Sequence, residues 1–154
     1  MKVLGTHKAI LHKVCHLYEH LASDREDLFQ EITYQVWKAW PRFRGDSRIS
    51  TWIYRIALNT AITGWRRKKG RIRLMGVDNI HDVPAEEMDT EGEERRKKMY
   101  DAIRGLSEWE RALVMLYLED KSYEEMEEIL GVAQNTLRVR MTRIREKLRK
   151  LTQI

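Results

Sequence analysis

The stretch SYEEMEEILGVAQNTLRVRMTRIREKLRKL, Ser122 to Leu151, decides how this chain folds. Ser122 and Glu125 stand three apart, the spacing of a capping box that opens a helix. Met126, Ile129 and Leu130 then give that short helix one apolar face. Gly131 and Val132 make a tight turn, and a second helix follows with Leu137, Met141, Ile144, Leu148 and Leu151 in register. Around that stripe stand Arg138, Arg140, Arg143, Arg145, Lys147, Arg149 and Lys150. A short helix, a glycine turn and a basic helix form a helix-turn-helix, whose second helix enters the major groove of DNA by its N-terminal half.

Upstream, Ser107 with Glu110 is another capping box, opening a helix that buries Leu113, Leu116 and Tyr117. Before it, Met99, Ala102, Ile103 and Leu106 carry a helical period. From Leu74 to Glu94 there is no Lys or Arg but eight acidic residues, with Gly76, Pro84 and Gly92 and no periodicity. Such a segment is too long for a loop inside a compact domain and reads as a linker between two. Before it, six of the eight residues from Arg66 to Arg73 are basic.

The N-terminal half is helical as well. Ile10, Leu11, Val14, Leu17, Tyr18 and Leu21 share a face. Ser23 with Glu26 predicts a helix start near Asp24, carrying Leu28, Ile32, Val36 and Trp40 inward and stopping at Pro41. The polar loop RFRGDSRIS, Arg42 to Ser50, leads to a third helix from about Thr51 to Lys69. The expectation is an all-α protein of two small helical domains joined by an acidic linker, divided at 1–70, 71–94 and 95–154.

Composition narrows the function. With 29 basic and 24 acidic side chains the net charge is only +5, so the distribution of charge says more than its sum. No stretch approaches the length of a membrane span, and the first ten residues lack a signal-peptide core. Cys15 is the single cysteine, which excludes an internal disulfide and suits a reducing cytoplasm. No phosphate-binding glycine loop, nucleophile elbow or spaced carboxylate pair appears, so neither an enzyme nor a cofactor is expected.

Two basic helices carry the binding chemistry. On the last helix Arg138, Val139, Thr142 and Arg143 lie away from the apolar stripe, where arginine can hold phosphates or read guanine edges. On the third helix Arg55, Asn59, Ile62 and Arg66 fall along one stripe, with Trp52 on its flank and Phe43 just upstream. Basic groups there can track a strand while aromatic and loop groups hold an unstacked base. Tyr54 and Trp65 read as core aromatics. His12, His16 and Glu19 share a polar face with Cys15 and His20 nearby, a spacing that can bind zinc. A complete ligand set is missing, so solvated histidines are expected instead and no metal is assigned.

Two stretches then resemble a known family. DREDLFQEITYQVWKAWPRFRGDSRISTWIYRIALNTAI, Asp24 to Ile62, is similar to the second conserved region of bacterial extracytoplasmic-function (ECF) sigma factors, and LSEWERALVMLYLEDKSYEEMEEILGVAQNTLRVRMTRIREKL, Leu106 to Leu148, to their fourth. The pairing of FRGDS, TWIYRIALN and a C-terminal helix-turn-helix across an acidic linker is far more specific than either half alone. The resemblance implies a protein that binds core RNA polymerase and directs it to promoter DNA. It assigns Asp27, Leu28, Gln30 and Glu31 to polymerase docking, with Trp37 in support. Phe43, Gly45, Asp46, Ser47, Trp52, Arg55 and Asn59 are assigned to the melted minus-ten element, and Arg66 on the same stripe joins them. Arg138, Val139, Thr142 and Arg143 are assigned to the minus-thirty-five element, with Arg140 on phosphate. It further implies an anti-sigma factor as partner; the sequence has no heptad seam for dimerisation, so a monomer is expected when free.

Two departures from the family pattern stand out. Its usual helix before the one beginning near His7 is expected to be absent or truncated, and Ala133 stands where a Ser or Thr often caps the recognition helix, a loss of typically ~1 kcal/mol unless Asn135 shifts the helix start. The competing readings are a free-standing helix-turn-helix regulator with a sensing N-terminal half, and a zinc protein built on His12, His16, Glu19 and Cys15.

Overall fold

A computed structural model describes residues 2–74 and 91–152. Every regular element in them is helical: α1 (Lys2–Thr6), α2 (Lys8–Tyr18), α3 (Ala22–Ala39), α4 (Ile49–Leu74), α5 (Glu91–Arg104), α6 (Glu108–Leu118), α7 (Tyr123–Leu130) and α8 (Gln134–Thr152), with a 3-10 turn at Trp40–Arg42. They pack as two compact units.

In the N-terminal unit α2, α3 and α4 pack pairwise around one core. Leu11, Val14 and Tyr18 of α2 meet Leu28, Ile32 and Val36 of α3 and Ile53, Tyr54, Ala57, Leu58 and Ala61 of α4, all buried. The heptad-like spacing of each set places one face of each helix inward. Short α1 precedes α2, separated from it by His7. The sequence period overran α2, which ends at Tyr18; Leu21 is exposed and serves as the N-cap of α3. The expected Ser23–Glu26 box is therefore absent. The chain is extended at Glu19 and Leu21, and the Arg25 N–H already bonds to the Leu21 carbonyl at 3.0 Å, so the helix begins two residues earlier. Ionic ties replace the cap. Lys68 Nζ lies 3.1 Å from Glu19 and 3.2 Å from Asp24, joining α4 to the end of α2 and the first turn of α3.

The C-terminal unit is α5 to α8. Helices α5, α6 and α8 pack on one another, and Ala102, Ile103, Leu106, Ala112, Leu113, Leu116, Met126, Leu137, Met141 and Ile144 are buried. The Ser107–Glu110 box is formed in both directions. Arg111 is buried, only 4 % exposed, and donates to the carbonyls of Arg104 and Leu106. Those oxygens lie at and just past the end of α5, where the helix cannot supply its own donors. Met99, Tyr117 and Leu151, read as inward from their period, are exposed, each lying at the margin of its helix's apolar stripe.

Helix α4 runs four residues beyond 70, and α5 begins at Glu91, within the segment assigned to the linker. The remainder of that segment, 75–90, lies outside the described residues. Among the described residues no helix is long and apolar enough to cross a membrane.

Candidate nucleic-acid interface

Pro41 cannot continue the hydrogen-bond ladder of α3, and the chain tightens into the 3-10 turn at Trp40–Arg42. The Phe43 N–H closes that turn on the Trp40 carbonyl at 3.1 Å. Gly45 follows with φ +78°, a conformation that a side chain disfavours, and the Trp52 N–H bond to the Arg48 carbonyl then starts α4. This path brings three rings together. Trp40 stacks on Phe43 with centroids 5.6 Å apart, Phe43 lies 5.0 Å from Trp52, and Trp40 meets Trp52 edge-on at 5.9 Å. All three are half-buried, so the cluster keeps ring surface toward solvent. Sequence reading missed Trp40 as a member, treating it as a core position. Its placement beside Pro41, where the helix must end, was the available signal.

Beyond the loop, Asp46 is exposed and Ser47 half-buried. Arg55, Asn59 and Arg66 are exposed on α4 as expected, but Ile62 is buried and belongs to the core edge rather than to the polar stripe. Tyr54 is buried and Trp65 half-buried.

On α3, Asp27, Gln30 and Glu31 are exposed, whereas Leu28 points into the core. Trp37 is 62 % exposed and sits 6.5 Å from Tyr34, which is also exposed. With Leu4, Phe29, Gln30 and Thr33 they line a shallow groove of about 470 Å³. An indole this open in a short apolar groove is the type of anchor that protein interfaces use.

The helix-turn-helix is built from α7 and α8. The chain leaves α6 through Asp120 at φ 58°, with the Lys121 N–H on the Leu116 carbonyl and the Asp120 N–H on that of Tyr117, a Schellman motif. Ser122 Oγ accepts the Glu125 N–H at 3.1 Å and caps α7. Gly131, at φ +70°, turns the chain toward α8. The Leu137 N–H bonds to the Ala133 carbonyl, so Ala133 is the N-cap and Asn135 lies within the first turn, where it does not move the helix start. Asn135 has a different task, accepting from Arg138 at 3.2 Å. Arg138, Val139, Arg140, Thr142 and Arg143 are all exposed.

Of the candidate zinc residues, His12, Cys15 and His16 line one cavity, but among the described residues no three His, Cys, Asp or Glu side chains are placed to hold a metal ion. His12 stacks on Phe29 at 4.7 Å, Cys15 is buried, and Glu19 pairs with Lys68. The Arg25 guanidinium donates to His16 Nδ1 at 2.9 Å, which requires that nitrogen to be unprotonated. Burial first, then the charges of Arg25 and His12, hold His16 below its ordinary range.

Sigma-70 region 2 matches residues 4–71 and Sigma-70 region 4 matches residues 96–148. An ECF RNA polymerase sigma-E factor of Haemophilus influenzae is 31% identical over 136 residues, covering 80% of this chain and 72% of that protein. The chain belongs to the ECF sigma factor family. The sigma-E factor of Escherichia coli strain K12 agrees with it, 32% identical over 149 residues and covering 88% of this chain and 78% of its own. Two solved structures share the fold. The sigma factor RpoE in complex with the anti-sigma factor NepR from Bartonella quintana aligns with a TM-score of 0.76 at 21% identity, over 97% of this chain and 94% of that one. CnrH in complex with the cytosolic domain of CnrY aligns at 0.67 and 21% identity, over 97% and 84%. As an alternative sigma factor the protein directs promoter-specific transcription, in a family of regulators that recognise DNA.

Proposed function

We propose that this sigma factor works through three surfaces. Asp27, Gln30 and Glu31 with the open Trp37 dock α3 on core RNA polymerase, with Leu28 holding the helix from behind. Phe43, Gly45, Asp46, Ser47 and Trp52 receive an unstacked base of the minus-ten element, and Arg55, Asn59 and Arg66 track the melted strand along α4. Arg138, Val139, Arg140, Thr142 and Arg143 of α8 engage the minus-thirty-five duplex. Residues 1–70 and 95–154 form the two promoter-binding halves, and 71–94 joins them. Its acidity suits a polymerase channel built for nucleic acid, because it repels stray DNA.

The observation that carries this reading is the half-open ring cluster of Trp40, Phe43 and Trp52 at the head of a helix whose exposed edge is Arg55, Asn59 and Arg66. Rings supply stacking faces for a displaced base and the adjoining cations hold its phosphates. A ligand-sensing half of a free-standing regulator has no need of that pairing.

The protein acts where the polymerase is, in the cytoplasm, without a cofactor or a catalytic step of its own. An anti-sigma factor is its expected restraint, as the two structural relatives are each held in a complex. In-vitro transcription with purified core polymerase over a library of upstream sequences tests the whole reading. Start sites preceded by a shared two-part motif are expected. No initiation, from core that is active with another sigma factor, would return the chain to the class of free-standing regulators.

A further inference from the structure

The cations of α8 separate into an outer group and two flanks. At roughly 100° per residue from the buried stripe of Leu137, Met141 and Ile144, the outer arc holds Val139, Thr142 and Arg143. Arg138 and Arg145 lie on one flank, Arg140 and Lys147 on the other. These four flanking cations are each held by another helix of the unit. The Arg138 guanidinium lies 4.9 Å from the ring centre of Tyr123 on α7, Arg145 lies 4.4 Å from that of Tyr117 on α6, and Arg140 lies 4.5 Å from that of Trp109, also on α6. Lys147 Nζ stands 3.6 Å from Glu110.

This inference rests on the reading of α8 as the helix that enters duplex DNA. A helix about 10–12 Å across fills a major groove of about 12 Å, so its outer arc meets base edges and its flanks meet the phosphate walls. We propose that Tyr123 and Trp109 are positioning residues for promoter binding: they hold Arg138 and Arg140 on opposite flanks of α8, aimed at the phosphates of the two strands, and leave base reading to Val139, Thr142 and Arg143. Arg138 thereby becomes a phosphate contact rather than a reader of base edges. A ring binds the face of a guanidinium and leaves its in-plane N–H groups for oxygen acceptors. The present acceptors of Arg138, Asn135 at 3.2 Å and Gln134 at 3.4 Å, are exposed and loosely spaced, and a phosphate can take their place. Holding a flexible side chain in its bound direction also removes part of the ordering cost of binding.

The test uses the full chain assembled with core polymerase and a pool of duplexes randomised upstream of the start region. Affinity is followed across salt concentrations, and the enriched sequences are read out. Tyr123→Leu is expected to weaken binding roughly two- to fivefold on all sequences, the range of an exposed cation–ring contact. Arg138→Ala should lower the slope of log affinity against log salt by about 0.9, the value of one phosphate contact, with the enriched sequences unchanged. Tyr123→Leu should move the slope the same way, and Tyr123→Phe, which keeps the ring, should restore it. Trp109→Leu and Trp109→Phe should behave alike toward Arg140. Arg143→Ala should change which bases are enriched.

A shift of the enriched bases in Arg138→Ala overturns the phosphate assignment, and that measurement needs no ring to be altered. An unchanged salt slope in Tyr123→Leu, or a Tyr123→Phe chain as impaired as the Leu variant, overturns the positioning role. If the wild-type chain with core enriches no sequence at all, the promoter reading itself fails and the positioning role with it.

Discussion

Lys68 on α4 reaches Glu19 at the end of α2, Nζ to Oε2 3.1 Å, and thereby spans 49 residues of sequence with one ion pair. Asp24, at 3.2 Å, makes it a three-membered group at the point where α3 starts without a side-chain cap. Burial alone would lower the Lys68 pKa, but the hydrogen bonds and charges of Glu19 and Asp24 outweigh it and the net shift is upward. Lys68→Met leaves two carboxylates facing each other and should cost the N-terminal unit roughly 0.5–1 kcal/mol, the range for partly exposed pairs. The sign of the pH effect follows from the raised pKa. The stabilisation is fully present below the ordinary lysine value and is lost as pH rises through the folded one, above about pH 10. Thermal melts should show wild type losing its advantage over Lys68→Met in that alkaline window. An advantage that is the same at every pH would mean that packing of the lysine stem, not its charge, is responsible.

Cys15 should be inert in the folded chain. Burial, and then the negative charge of Glu19, push its thiol up to about 11 against the opposing pull of Arg25. The thiolate is the reactive form, so labelling at neutral pH should require unfolding of the N-terminal unit. Fast stoichiometric labelling under native conditions would contradict the buried placement.

Asp120 is the one non-glycine residue with positive φ among those described, in the Schellman turn between α6 and α7. Glycine takes that conformation without steric cost, so Asp120→Gly should stabilise the C-terminal unit by about 0.5–1 kcal/mol. Its melting temperature should rise by a few degrees. A fall would show that the Asp120 side chain contributes more than its backbone strain.

Asn59→Ala should impair promoter opening while leaving assembly with core polymerase unchanged, because Asn59 is exposed on the α4 edge and remote in sequence from the α3 docking surface. Permanganate footprinting of the melted region, beside a core-binding titration, separates the two. Equal opening by mutant and wild type would remove Asn59 from the strand-reading edge.

Fold class was legible because the apolar periods of α3 and α8 are set by burial, and Leu28, Ile32, Val36, Leu137 and Ile144 all lie where those periods put them. Glycine turns were legible for the same local reason, as Gly131 shows. Helix ends were harder. Ser23 and Glu26 have the residue types of a box, yet the choice of start was made by the path of the chain from Glu19 to Leu21 and by Lys68, 44 residues beyond Asp24. Margins of a stripe were also hard to read: Ile62 turned inward while Tyr117 and Leu151 turned outward, since period alone does not give the width of a buried face. The exposed positions assigned to DNA on α8 were legible as exposed. Their division into flank and outer arc was not, because the rings of Tyr123, Tyr117 and Trp109 are brought to them by tertiary packing.

Arg111 gives the C-terminal unit a mechanical property. Its guanidinium is seated under the end of α5, and swinging α5 away from α6 would strand a cation in an apolar interior. That joint behaves as a stiff elbow rather than a hinge. A pull on α5 is therefore resisted at this joint, and α8, which packs against α5, should follow it.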